Sequence, residues 1–495
     1  MKLKIKMLDI QTGGPLVIVV SRKFAEENMI YGGDRLEIKK VGIKFIGIVD
    51  ISESGIKDSE VGLFHEWKGI GFSDSEEVEI KLLPKPSSIS AIKKKLKGEE
   101  LSKDEIYDII HDITFNELSD IELAVFVSGV YTRGMSLEEI YHMTKAMVKY
   151  GQKLNLRKKM IVDKHSIGGV PGNRTTPIII PIVASAGLVI PKTSSRAITS
   201  PAGTADTIES FCDVSFTISK IKDIIKKTNA CMVWGGSLNL APADEKIIRV
   251  EHPVSLDPVP QLLSSVMAKK YSVGATYLLV DIPVGREAKV QYNDEAERLK
   301  EQFIKLGRKL GIKVEAVITN GSQPIGNGIG PNLEAKDVLY ILTNDKKGPV
   351  LLREKALNMA GKIFEMTGTV RKGQGYTMAK KILESGRAYK KFQQIVREQN
   401  GNPDIRADQI NLGKYSETIK SKQKGVIMSV SNRELAKIAL ALGNPKDKKA
   451  GIYLYVHAGD RTSRGEKLIT IYSDSREKFV HAKKIVDLKK IFYVK

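Results

Sequence analysis

The chain has 495 residues, enough at roughly 100–200 residues per domain for two to four domains. Its 42% hydrophobic and 28% charged residues are ordinary for a globular chain and exclude wholesale disorder or a fibrous fold. Lys and Arg total 79 against 58 acidic residues, a net charge of +21, so the partner to expect is nucleic acid, anionic lipid or an anionic small molecule.

The N-terminus, MKLKIKMLDI, alternates Lys with apolar residues where a signal peptide would run continuously apolar, and it reads as a strand. LVIVVS, RLEIKKV, KFIGIVDI and VEIKLL follow, separated by Gly, Asp and Ser. They predict a small β-rich domain over residues 1–84, closed by Pro84-Lys85-Pro86. The period then becomes helical. Ser102 with Glu105, Ser119 with Glu122 and Ser136 with Glu139 each match the capping box and specify three short helices. The second, Ile121 to Arg133, is apolar nearly all round, as in the middle of a packed bundle, and Gly134 is placed to end it.

Next come MIVD (160–163), a Gly-rich loop, a helix through IIIPIVASAG, the strand LVIP (188–191), a second loop and the helix TADTIESF. This βαβα series predicts an α/β domain with a parallel sheet. Asp257-Pro-Val-Pro opens a helix, YLLVDIPV and VEAVIT read as buried strands, and residues 414–495 form an α+β lobe around HAGDRTSRGE. The uncharged stretch from Thr175 to Pro191 is short and contains three prolines, so no membrane segment is expected. Cys212 and Cys231 form no CxxC motif, which argues against a disulfide framework or a zinc site and fits a reducing cytosol.

Two loops can carry chemistry. Lys164-His-Ser-Ile-Gly-Gly169 leads from a strand toward a helix that begins near Asn173, and offers backbone amides, a hydroxyl and a cation to one anion. Ser194 to Thr204 adds five hydroxyls, Arg196 and Gly203 between a strand and a helix. On successive strands the two would lie side by side at the carboxyl edge of one sheet, where open α/β folds bind ligands. Two phosphates, or a phosphate and a ribose, would fit. The plainer readings are a tight turn whose glycines serve geometry and a pair of hydroxyl-rich caps. Gly368 to Gly373 lacks the Lys and Ser/Thr of a P-loop. Dispersed lysines and an aromatic share of 6% speak against nucleic acid.

KHSIGGV, SSRAITSPAGT, SSVMAKK (264–270) and QPIGNGIGPNLEAKDVL (323–339) together resemble the signature blocks of the thymidine/pyrimidine-nucleoside phosphorylase family, in the same order from about residue 85 to 495. The resemblance implies a helical domain (85–158 with 250–272) and a larger α/β domain (159–249 with 273–495, including a lobe from about 414), with the β-rich domain added in front. Where pyrimidine enzymes place an Arg that holds the base, this chain reads Val250-Glu-His-Pro253. The N-terminal domain, SSRAITSPAGTADT and LDPVPQLLSS instead resemble the archaeal AMP phosphorylase subfamily. The activity so implied is phosphorolysis of AMP, with CMP and UMP as further substrates, to the free base and ribose 1,5-bisphosphate. Pyrimidine-nucleoside phosphorolysis is the alternative.

Carried over, the resemblance implies nucleotide contacts at Gly169, Ser195, Arg196, Ala197, Ile198, Thr199, Ser200, Thr204, Ser265 and Lys289, phosphate contacts at Lys164 and Ser166, and Asp257 as proton donor. Asp257 also reads as an N-cap before Pro258, and the roles of His165 and Lys269 stay open. Expected partners are a nucleoside monophosphate, inorganic phosphate as co-substrate and further copies of the chain as a homodimer or larger assembly. No metal or other cofactor, no nucleic acid and no membrane is expected, and the location is cytoplasmic.

Overall fold

The computed structural model describes residues 1–13, 16–40, 43–156, 158–197, 200–254 and 256–495. They group into two compact units, residues 1–151 with 241–268 and residues 152–240 with 269–495.

In the first unit six strands close a barrel in the order β1-β5-β2-β4-β3-β6. They are β1 (Lys2–Met7), β2 (Val17–Ser21), β3 (Arg35–Lys40), β4 (Ile43–Ser52), β5 (Glu60–Leu63) and β6 (Glu77–Leu83). The period of two is visible in β1, where Leu3 and Ile5 are buried and Lys2 and Lys4 are exposed. Trp67, fully buried, plugs the barrel, and its indole N–H donates to the Val17 carbonyl at 2.9 Å. The sequence had not shown β5, nor the short helices Arg22–Glu27 and His65–Gly69. Four residues of strand that pair in parallel with β1 carry little local signal.

All three capping boxes form: the Ser102, Ser119 and Ser136 hydroxyls accept from the Glu105, Glu122 and Glu139 amides, and each Glu carboxylate accepts from the cap amide. They start helices Lys103–Thr114, Asp120–Arg133 and Leu137–Lys149. The middle helix is less enclosed than its composition predicted, with Ile121 77% and Tyr131 56% exposed. Gly134 ends it at a φ of 67°, though its ψ of −172° lies outside the left-handed helical basin. Barrel and helices meet at Arg35, 3% exposed, whose guanidinium donates to the Glu117 carbonyl and the Glu122 carboxylate.

The second unit is built on parallel strands β7 (Val162–Ser166), β8 (Ile190–Ser194), β9 (Ala230–Trp234), β10 (Tyr277–Val284) and β11 (Lys313–Asn320). They pair as β11-β10-β7 and β8-β9, with a parallel bridge from Ile161 to Val189 joining the two groups. Helix Thr176–Ser185 starts three residues later than expected and is buried along almost its whole length, the burial that its all-round apolar sequence requires. It packs with helix Val350–Met366 over the sheet. The C-terminal part carries β12 (Gly328–Ile329), β13 (Tyr415–Lys420), β14 (Gly425–Val430), β15 (Gly451–Leu454), β16 (Arg461–Thr462), β17 (Lys467–Ser473) and β18 (Phe492–Val494). These form sheets β12-β15-β17-β13 and β16-β14-β18 around a core that includes Ile427, Leu435, Ile452 and Ile469. Among the described residues no helix is long and apolar enough to cross a membrane.

Candidate active site

Alternation along β7 sends Lys164 and Ser166 to one face of the sheet and Asp163 and His165 to the other. On the first face Asp281 of β10 lies opposite Ser166 in register. This fully buried carboxylate is a hub. Its Oδ2 accepts from the Ser166 hydroxyl at 2.9 Å and forms ion pairs with the Lys355 Nζ at 3.0 Å and the Lys164 Nζ at 3.9 Å, while the Thr319 hydroxyl donates to Oδ1 at 2.6 Å. Lys164, 1% exposed, also donates to the Thr175 hydroxyl at 2.9 Å.

Burial pushes the Lys164 ammonium down to about 8; the Asp281 charge resists that fall, and Lys355, Arg174 and Lys270 add to it. Burial works against ionisation of Asp281, but Lys355 and Lys164 outweigh it and hold the carboxyl below its usual range. On the opposite face Asp163 is flanked by Lys270 at 2.8 Å and Lys192 at 3.7 Å. His165 is driven well below its ordinary value by burial and then by the nearby lysines, Lys270 first, so it is neutral at neutral pH.

The two loops are stitched together. Arg174, just before helix Thr176–Ser185, donates to the Ala202 carbonyl of the second loop, to Thr207 at 3.1 Å and to the buried Glu334. Asp206 then clamps the second loop from below, accepting from the Ala197 amide at 2.7 Å and the Gly203 amide at 2.8 Å. The chain passes so closely here that a Cβ on Gly203 would lie 2.4 Å from the Ala197 nitrogen. Arg196 pairs with Asp206 and Glu209 and stacks over Trp234, 5.0 Å from the ring centroid. In the first loop Gly169 has a φ of +84°, and a Cβ there would lie 2.5 Å from the Lys289 nitrogen.

The structure therefore brings Lys164 with Ser166, Gly169 with Lys289, and Ser195, Arg196, Ala197 and Ser200 with Thr204, which opens helix Thr204–Ile208. Ser195, Ser200, Gly169 and Lys289 are exposed. Ile198 and Thr199 lie outside the described residues. Asp257 and Ser265 belong to the first unit, Asp257 exposed and Ser265 half-buried. The helix there starts at Val259, with the Pro258 carbonyl accepting from the Leu262 amide at 2.9 Å. Pro258 thus holds the cap position and Asp257 precedes it. Sequence reading missed Arg174, Asp206, Asp281 and Lys355. A lone carboxylate inside YLLVDIPV was a usable signal for Asp281, because a charge in a buried strand needs partners.

The chain is 46% identical over 477 residues to the AMP phosphorylase of Methanococcus vannielii, covering 96% of this chain and 94% of that one. It is also 46% identical to the AMP phosphorylase of Pyrococcus furiosus, over 97% of this chain and 95% of that one. The chain belongs to the AMP phosphorylase family. A match over 96% of its length takes in the N-terminal barrel, so the barrel is shared with that family. Domain models agree with the architecture: the helical bundle domain of a glycosyl transferase family matches residues 89–151, its a/b domain 158–389, and the pyrimidine nucleoside phosphorylase C-terminal domain 426–490. In fold alone, AMP phosphorylase family architecture here is similar to anthranilate phosphoribosyltransferase from Thermus thermophilus. That likeness has a TM-score of 0.54 at 19% identity and spans 63% of this chain and 99% of the other.

Proposed function

We infer that this chain is a pentosyltransferase that phosphorolyses AMP, giving adenine and ribose 1,5-bisphosphate. The observation that carries this reading is the near-full-length match to AMP phosphorylases, which extends through both anion-suited loops. In the reaction the C1′–N bond of the nucleotide breaks, a C1′–O bond to phosphate forms, and the base takes up a proton as it leaves. Charge separates along that path, positive on the ribose and negative on the base, so the protein's work is to hold two anions and supply one proton.

Lys164 and Ser166 are the proposed holders of the attacking phosphate, and their side chains already converge at Asp281. Gly169, the loop from Ser195 to Ser200, Thr204, Ser265 and Lys289 are the proposed nucleotide contacts. Asp257, exposed in the first unit, is the proposed proton donor to the departing base. The reading uses inorganic phosphate as co-substrate and no metal or other cofactor, and it extends to CMP and UMP. It places the enzyme in the cytoplasm as a homodimer or larger assembly.

Incubation with AMP, adenosine or thymidine in phosphate buffer tests it. Ribose 1,5-bisphosphate formed from AMP, also after dialysis against a chelator, is the expected result. Turnover confined to thymidine or uridine would reject it in favour of a nucleoside phosphorylase.

A further inference from the structure

We propose that Lys355 is a positioning residue of the phosphate subsite: by neutralising Asp281 it leaves the charge of Lys164 available to the incoming phosphate. The inference rests on the reading above that Lys164 and Ser166 hold that phosphate. Asp281 is fully buried, and Lys164 is 1% exposed. Taken alone, these two form a neutral pair with little to offer an anion. Lys355, only 9% exposed at its side chain, brings a second positive charge to the same carboxylate oxygen and makes the trio net positive.

Distance assigns the pairing. The Lys355 Nζ stands 3.0 Å from Asp281 Oδ2 and the Lys164 Nζ stands 3.9 Å away. Coulomb attraction falls with distance, so the carboxylate is engaged first by Lys355. Lys164 is meanwhile held in place by the uncharged Thr175 hydroxyl at 2.9 Å, which fixes its position without consuming its charge. The other cations that act on Lys164 are already committed: Arg174 to Glu334, and Lys270 and Lys192 to Asp163 on the opposite face of the sheet.

Lys355 reaches this point from helix Val350–Met366, remote in sequence from both loops. It also lines a cavity of about 380 Å³ together with Thr319, Ile325, Leu351 and Met359. A side chain of similar size can therefore be exchanged there without overpacking.

The test is steady-state kinetics on the full-length enzyme with each substrate varied in turn, beside melting curves for every variant. Lys355→Met is expected to raise KM for phosphate about tenfold or more, the scale of one lost charged contact, with KM for AMP within about twofold of the parent. Lys355→Arg should restore most of the phosphate affinity. Lys355→Met combined with Asp281→Asn should also recover it, because the net charge returns to that of the parent trio. An unchanged KM for phosphate in a folded Lys355→Met enzyme overturns the proposal, as does a double variant weaker than Lys355→Met. If Lys355→Met does not fold, Asp281→Asn alone decides: KM for phosphate no higher than the parent's supports the proposal and a raised one overturns it. Lys164→Met separates the underlying reading, which fails by itself if that variant binds phosphate as the parent does.

Discussion

The proposed phosphate contact of Lys164 requires its charge, yet the side chain lies where water cannot help it hold a proton. With its value pushed down to about 8, the charge is present at neutral pH and is lost as the solution becomes more alkaline. KM for phosphate, measured from initial rates at saturating AMP, should stay level near neutrality and rise roughly tenfold per pH unit above about 8. A profile that stays level to pH 9.5 would contradict the assignment. Stability has the opposite sign. Between about 8 and the ordinary value of 10.5 the unfolded chain binds a proton that the folded one has released, so this group's contribution to folding improves while binding is lost. The loop of Lys164 and Ser166 was legible as a candidate because strand, lysine, hydroxyl and paired glycines occur together in one short run. Lys355 was not legible: in LLREKALNMAGK it is one lysine of an amphipathic helix, and only tertiary packing turns it toward Asp281.

The three capping boxes look alike in sequence but do different work. Glu105 pairs with Lys94, and both side chains are about one-third exposed. Glu139 is 2% exposed; besides its cap it accepts from the Lys95 ammonium at 2.7 Å and the Leu101 amide at 2.9 Å, tying helix Ser88–Leu96 to the next loop. Glu139→Gln leaves a buried lysine without its counter-charge and should cost about 3–5 kcal/mol. Glu105→Gln should cost about 0–1 kcal/mol. Urea unfolding of the two variants distinguishes them, and equal losses would refute the distinction. Capping boxes were readable because their hydrogen bonds are local, three residues apart. The closed barrel was readable only as a series of strands. Its order β1-β5-β2-β4-β3-β6 depends on pairings between distant segments, and β5 carries only four residues.

At the scale of the chain, the +21 charge is divided between a few buried cations with assigned partners and many solvated ones. Two buried carboxylates, Asp281 and Asp163, each carry two lysines, so each trio is net positive beside the loops while most of the excess charge stays on the solvated surface. The barrel is joined to the helices through the buried Arg35, whose partners Glu117 and Glu122 would be uncovered by removal of residues 1–84. If the barrel serves assembly, that truncation should lower the number of chains per particle measured by light scattering; an unchanged number counts against the role. The chain's two tryptophans are also divided one to each compact unit. Trp67 is sealed inside the barrel with its N–H bonded, while Trp234 is half-buried beneath the guanidinium of Arg196. The protein thus carries its own optical labels: one emission belongs to the barrel, and the other to the end of β9, against Arg196 of the loop proposed to meet the nucleotide. A Trp67→Phe chain would leave Trp234 as its one tryptophan reporter.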